Sequence, residues 1–233
     1  MKPGFVPAVG TPLDKNGNLC VESYKKQIED QIANGAIAIL SMGSMGIQPY
    51  MRTSVCPDVA RAAVEAAAGR VPVYVGAMDC SIARAKERMA AMEDLDVAGF
   101  VLTTPYYYAC TPQMIINYYK GACAGTKHKV LMYDLAVVTQ SKITYDIVKE
   151  LIRTVPNIAG IKSADLNMFR KLKLDPEVPE EFLLSTPVWI ILILPTNGAS
   201  TSAWTVCLPA PPSTAASFLR LWSRGTTKAL PST

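Results

Sequence analysis

Short unbroken apolar runs alternate along the chain with longer segments in which apolar residues return every three or four positions. The runs fall at 4–12, 36–40, 71–76, 99–103, 129–133 and 158–161. A run with no polar alternation is what a strand covered on both faces requires. The intervening segments read as helices. Residues 21–34 set Tyr24, Ile28 and Ile32 on one stripe and stop at Gly35. Residues 58–68 are alanine-rich and end at Gly69, and 81–95 turn Ala83, Met89 and Met92 towards a core. Residues 111–124 start with a Thr111 cap and Pro112 in the first turn. Residues 144–154 bury Ile147, Val148, Leu151 and Ile152, and a further helix begins at 166.

Strand starts therefore recur roughly every 31 residues, the length of one strand and one helix with their loops. Strict alternation at that period implies a parallel sheet with helices outside it. Six such units fit an α/β fold of the (β/α)8 TIM-barrel kind. The competing doubly wound sheet lacks support, because no G-x-G-x-x-G follows the first strand. Two more strands are needed to close a barrel. Residues 182–194 and 203–208 are the candidates, the second being the weaker. The expected organisation is a barrel domain over 1–210 and, over 211–233, the remnant of a C-terminal helical extension.

Composition narrows the function classes. The chain has 233 residues, half of them apolar and 18% charged, enough for a sizeable core. Its net charge of +4 is not gathered into a basic run or a basic–aromatic stripe, so no nucleic-acid partner is expected. The six cysteines form no C-x-x-C pair and His128 is the single histidine, which argues against a zinc site. No apolar run reaches the ~20 residues that span a bilayer, so no membrane partner is expected. The N-terminus lacks the apolar region of a signal peptide, and a cytoplasmic location is expected.

In a TIM barrel the chemistry lies on the loops at the C-terminal ends of the strands. The residues there are Gly43, Ser44, Met45 and Gly46 after the second strand, and Thr103, Thr104, Tyr106, Tyr107 and Tyr108 after the fourth. Tyr133 ends the fifth strand and Lys162 the sixth. A lysine past a strand is most often a solvated boundary residue, a glycine-flanked turn is often only a turn with positive φ, and a tyrosine cluster can simply cap a barrel. Together they read differently. An amine held partly desolvated is freed to attack a carbonyl. Beside it stands a phenol, and a loop nearby offers N–H groups and a hydroxyl to a carboxylate. Amine, phenol and anion cradle describe a Schiff-base enzyme acting on a 2-oxo acid.

These residues resemble the family of dihydrodipicolinate synthase and N-acetylneuraminate lyase, the class I pyruvate-dependent aldolases. The resemblance runs from Gly4 to about Leu174. Its elements are the opening Gly4-Phe5-Val6-Pro7, the Gly43-Ser44-Met45-Gly46 carboxylate loop, Thr104-Pro105-Tyr106-Tyr107, Tyr133-Asp134-Leu135 in place of Y-N-x-P, and Gly160-Ile161-Lys162-Ser163. It implies that Lys162 forms an imine with pyruvate or a related 2-oxo acid, and that Tyr133 transfers protons. It also implies that Ser44, Met45 and Gly46 hold the carboxylate, and that Tyr107 completes a relay with Ser44 and Tyr133. The partners it implies are the 2-oxo acid, an aldehyde, and further copies of the chain in a dimer or tetramer. No cofactor or metal is implied, since the lysine itself is the electron sink.

Three positions depart from the family pattern. Met45 replaces a second hydroxyl, Ile47 stands where the loop usually has Glu, and Val138 takes the place of an arginine that grips a second carboxylate. Valine cannot supply a bidentate clamp, so a lyase for another 2-oxo acid is favoured over dihydrodipicolinate synthase itself. From Pro187 the resemblance fades. Acidic residues cease after Glu181, while six prolines and Trp189, Trp204 and Trp222 crowd the last 47 residues. A divergent or truncated end is expected there. It keeps open a second reading, a catalytically impaired barrel that binds 2-oxo acids.

Overall fold

The computed structural model describes residues 4–187 and 204–207. Eight parallel strands form one sheet: β1 (Gly4–Phe5), β2 (Ile39–Ser41), β3 (Val73–Gly76), β4 (Gly99–Thr103), β5 (Val130–Tyr133), β6 (Ile158–Lys162), β7 (Leu183–Pro187) and β8 (Trp204–Cys207). Their order is β1-β8-β7-β6-β5-β4-β3-β2. The two ends meet as well. Ile37 donates its N–H to the Phe5 carbonyl at 3.1 Å, Leu40 to that of Pro7 at 2.9 Å, and Val9 to that of Leu40 at 3.0 Å. The sheet is thereby closed into the expected TIM barrel.

Helices α1 (Val21–Ala33), α2 (Cys56–Ala67), α3 (Ile82–Ala90), α4 (Pro112–Cys123), a single turn α5 (Ala136–Thr139), α6 (Tyr145–Thr154) and α7 (Leu166–Leu174) follow the strands. The Thr111 hydroxyl accepts from the Met114 N–H at 3.3 Å, capping α4 as its sequence predicts. Helix α3 ends at Ala90 instead of reaching 95, and it buries Ala85 and Met89 while Ala83 faces solvent. The register of its stripe is set by Met89 and Met92, both fully covered. The weaker of the two proposed last strands is present as β8, paired with both β7 and β1. Residues 188–194 of the other proposed strand and the proposed remnant at 211–233 lie outside the described residues.

Two cores result. Between sheet and helices pack Phe100, Leu102, Met132, Ile161 and Phe169, among others. Inside the barrel a smaller set, Leu40, Tyr74, Met78, Val101, Leu131 and Tyr133, fills the interior. Alternation along each strand assigns its residues to one core or the other. Between β5 and β6 the register slips: Val130 faces Ile158, but Leu131 faces Gly160 and Tyr133 faces Lys162. Because strand side chains have period two, this one-residue irregularity decides which face Lys162 takes. It puts the lysine inside, next to Tyr133.

Candidate active site

Lys162 ends β6 with only 6% of its surface exposed. Its Nζ lies 4.3 Å from the centroid of the Tyr133 ring. The amine therefore leans from its own strand across β5, over the face of the Tyr133 ring. Tyr133 is itself buried, and its hydroxyl shares a 3.1 Å hydrogen bond with Ser44 Oγ. Ser44 comes from the loop after β2, so this contact spans the barrel mouth. Amine, phenol and loop hydroxyl stand together as the sequence proposes.

The loop that presents Ser44 is fixed by close backbone approaches. A Cβ on Gly76 would sit 1.9 Å from the Met42 carbonyl oxygen, and one on Gly46 would sit 2.9 Å from Met42 Cα. Thr11 donates to the Gly46 carbonyl at 2.7 Å. The left-handed residues of this turn are Met42 (φ 54°) and Ile47 (φ 50°), not its glycines. Gly46 is thus required by lack of room, whereas the sequence suggests a need for positive φ. Met45 is 54% exposed and brings no side-chain hydroxyl to the mouth.

Tyr107 lies in the loop after β4. It is 73% exposed on the rim, and its ring meets that of Tyr108 edge-on at 4.7 Å. Val138, where the resemblance calls for arginine, is 57% exposed.

A polar network missed by the sequence reading lies directly behind the site. Asp134, next to Tyr133, is buried and accepts from Ser163 Oγ at 2.6 Å and from the Ile143 N–H at 3.1 Å. Lys142 Nζ lies 2.5 Å from the Asp134 carboxylate and 3.2 Å from that of Asp165. Burial opposes the charge of Lys142, but the two carboxylates outweigh it and hold its pKa above the ordinary lysine value. The Met168 N–H, bonded to Asp165 across the start of α7, is the largest influence holding that carboxyl below its usual range, and Lys142 adds to it. The signal available in the sequence was a carboxylate and a hydroxyl, each immediately following a site residue on adjacent strands.

A second buried ion pair lies after β3. Asp79 accepts from Arg88 at 3.3 Å and from Arg84 Nε at 2.9 Å. Burial alone would raise its pKa. The guanidiniums and the Ser81 N–H reverse that and hold it below the usual range. Among the described residues no group of three or more His, Cys, Asp or Glu side chains is arranged to hold a metal.

Comparison with known proteins matches residues 1–187 to the Dihydrodipicolinate synthetase family. The 4-hydroxy-tetrahydrodipicolinate synthase of Escherichia coli O139:H28 (strain E24377A / ETEC) is 30% identical over 181 residues, which cover 78% of this chain and 62% of that enzyme. The chain therefore spans less than two thirds of the length of the curated relatives it matches. The dihydrodipicolinate synthase of Thermotoga maritima superposes with a TM-score of 0.73 at 25% identity, over 80% of this chain and 64% of that one. That of Aquifex aeolicus superposes with a TM-score of 0.79 at 22% identity, over 96% and 76%.

Proposed function

Because this chain belongs to the Dihydrodipicolinate synthetase family, we propose that it is a class I carbon–carbon lyase that binds pyruvate or a related 2-oxo acid as an imine on Lys162. The observation that carries this reading is the buried Lys162 amine over the Tyr133 ring, with the Tyr133 hydroxyl bonded to Ser44.

The neutral amine of Lys162 attacks the ketone carbon, and the carbonyl oxygen leaves as water once it has gained two protons. Tyr133 carries protons between amine and oxygen, and Ser44 passes them towards solvent. In the cleaving direction the protonated imine takes up the electron pair of the C–C bond at the adjacent carbon, leaving an enamine and releasing the aldehyde. In the forming direction that carbon first loses a proton to give the enamine, which bonds to the aldehyde carbon while the aldehyde oxygen gains a proton. The Ser44 hydroxyl, with the N–H groups of Ser44 and Met45, holds the carboxylate. Tyr107 is the third relay member. This chemistry calls on no cofactor or metal. Assembly into a dimer or tetramer and a cytoplasmic location complete the proposal.

Val138 favours an aldehyde without a second carboxylate, because an arginine fork at that position is what would grip one. Met45 and Ile47 in the carboxylate loop support the second reading, a barrel that binds 2-oxo acids without turning them over. Borohydride reduction in the presence of pyruvate tests the imine. The expected result is a stable adduct on Lys162 by peptide mass spectrometry, absent from Lys162→Ala. No adduct on Lys162 sinks the lyase reading, and an adduct without cleavage of any 2-oxo acid in a panel selects the second.

A further inference from the structure

Thr103 ends β4 in register with Tyr133, which is in turn in register with Lys162. Two residues earlier Val101 packs inside the barrel with Leu131 and Tyr133, while Phe100 and Leu102 pack against the helices. Thr103 therefore belongs to the interior face, in one row with the phenol and the amine. It is 2% exposed, and its hydroxyl has no hydrogen-bond partner among the described residues.

A buried hydroxyl left unpaired is costly and calls for an explanation. The Thr104 hydroxyl shares this condition, but Thr103 is the one in register with the site residues. The direction of Lys162 says where the ligand would be. Its register neighbours are Ser185 on β7 and Tyr133 on β5, and the amine extends over the Tyr133 ring, away from β7 and towards β4. A molecule joined to Nζ thus extends over β5 in the direction of Thr103. Adjacent strands stand about 4.8 Å apart, so one strand further is within reach of a group two bonds from the imine nitrogen.

We infer that Thr103 is a substrate-binding residue of this site, donating its hydroxyl to the carboxylate of a 2-oxo acid held on Lys162. The inference rests on the imine reading above. It accounts for Met45 as well: the loop after β2 offers the hydroxyl of Ser44 alone, and Thr103 supplies a second from the end of β4, two strands along. A carboxylate accepts through both oxygens, so Ser44 and Thr103 can hold one each.

The test uses Thr103→Val, which keeps the shape and removes the hydroxyl, and Thr103→Ser, which keeps the hydroxyl. Adduct formation on Lys162 is titrated with pyruvate and with acetone, a ketone of similar size that lacks the carboxylate. Thr103→Val should raise the half-saturating pyruvate concentration about tenfold and leave that of acetone unchanged, with Thr103→Ser close to the parent. In urea, Thr103→Val should be as stable as the parent or more so, since no bond within the protein is lost. An equal loss for both ketones, or no change for either, overturns the assignment to a carboxylate while leaving the imine reading intact. Failure of the parent to form any adduct removes both.

Discussion

Ser163 donates its hydroxyl to Asp134 at 2.6 Å, joining the residue after Lys162 to the residue after Tyr133. The backbone repeats the tie, with the Asp134 N–H bonded to the Lys162 carbonyl at 2.8 Å. The amine and the phenol are thus held at one spacing by their own neighbours, and a lysine side chain placed this way loses little freedom on meeting a substrate.

Removing the carboxylate should release that spacing. Asp134→Ala leaves the buried Ser163 hydroxyl and the Ile143 N–H without an acceptor and is expected to cost about 3 kcal/mol in a urea titration. Asp134→Asn keeps one acceptor oxygen and should cost less. Both should slow adduct formation at Lys162. If Asp134→Ala unfolds at the parental urea concentration, the network does not hold the site.

The loop that carries Ser44 depends on Gly76 having no side chain. An added methyl would lie 1.9 Å from the Met42 carbonyl, and the backbone there is already left-handed at Met42. Gly76→Ala is expected to lose about 3 kcal/mol and to weaken pyruvate binding by shifting Ser44 from Tyr133. Parental stability with parental adduct formation would show that the loop yields freely.

Tyr133→Phe removes the hydroxyl that meets Ser44 at 3.1 Å and keeps the ring under the Lys162 amine. The expected result is a fall of roughly 10²- to 10⁴-fold in the rate of adduct formation, with stability little changed. Ser44→Ala should lower the rate less and weaken pyruvate binding more. Tyr107→Phe should slow adduct formation without affecting the free protein's stability, because its ring is exposed. A parental rate in Tyr133→Phe contradicts the proton-transfer role.

Periodicity alone was enough to place the strands that carry Tyr133 and Lys162, because buried parallel strands read as unbroken apolar runs whatever their neighbours are. The pairing of the two was not legible in that way. It depends on the irregularity between Val130 and Leu131, which leaves no trace in composition. Gly46 shows a similar limit: its glycine was visible, but the reason for it, the Met42 backbone and the Val9 carbonyl close by, is a contact between distant segments. The network of Asp134, Lys142 and Ser163 was not legible for the same reason, since its contacts join segments far apart in the chain. Thr103 shows the opposite case, since only its lack of a partner in the fold makes it informative.

One pH response follows from the outer layer. Asp175, just past α7, lies 2.5 Å from Lys149 Nζ on α6 and accepts from the Tyr145 hydroxyl. Lys149 is the main cause, with Tyr145 next, of an Asp175 carboxyl pKa lowered from 3.8 to about 2. The folded value lies below the unfolded one, so the carboxylate stabilises the fold above the unfolded pKa, and that contribution is lost as pH falls from the unfolded value through about 2. Asp175→Asn should therefore unfold at lower urea than the parent at pH 6. Below pH 3 the gap between the two should shrink as the parent's carboxylate takes up its proton. The effect should also fall with added salt at pH 6, as an ion pair near the surface requires. A gap constant from pH 6 to pH 2.5 would assign the Asp175 contribution to its hydrogen bonds in either protonation state, and not to its charge.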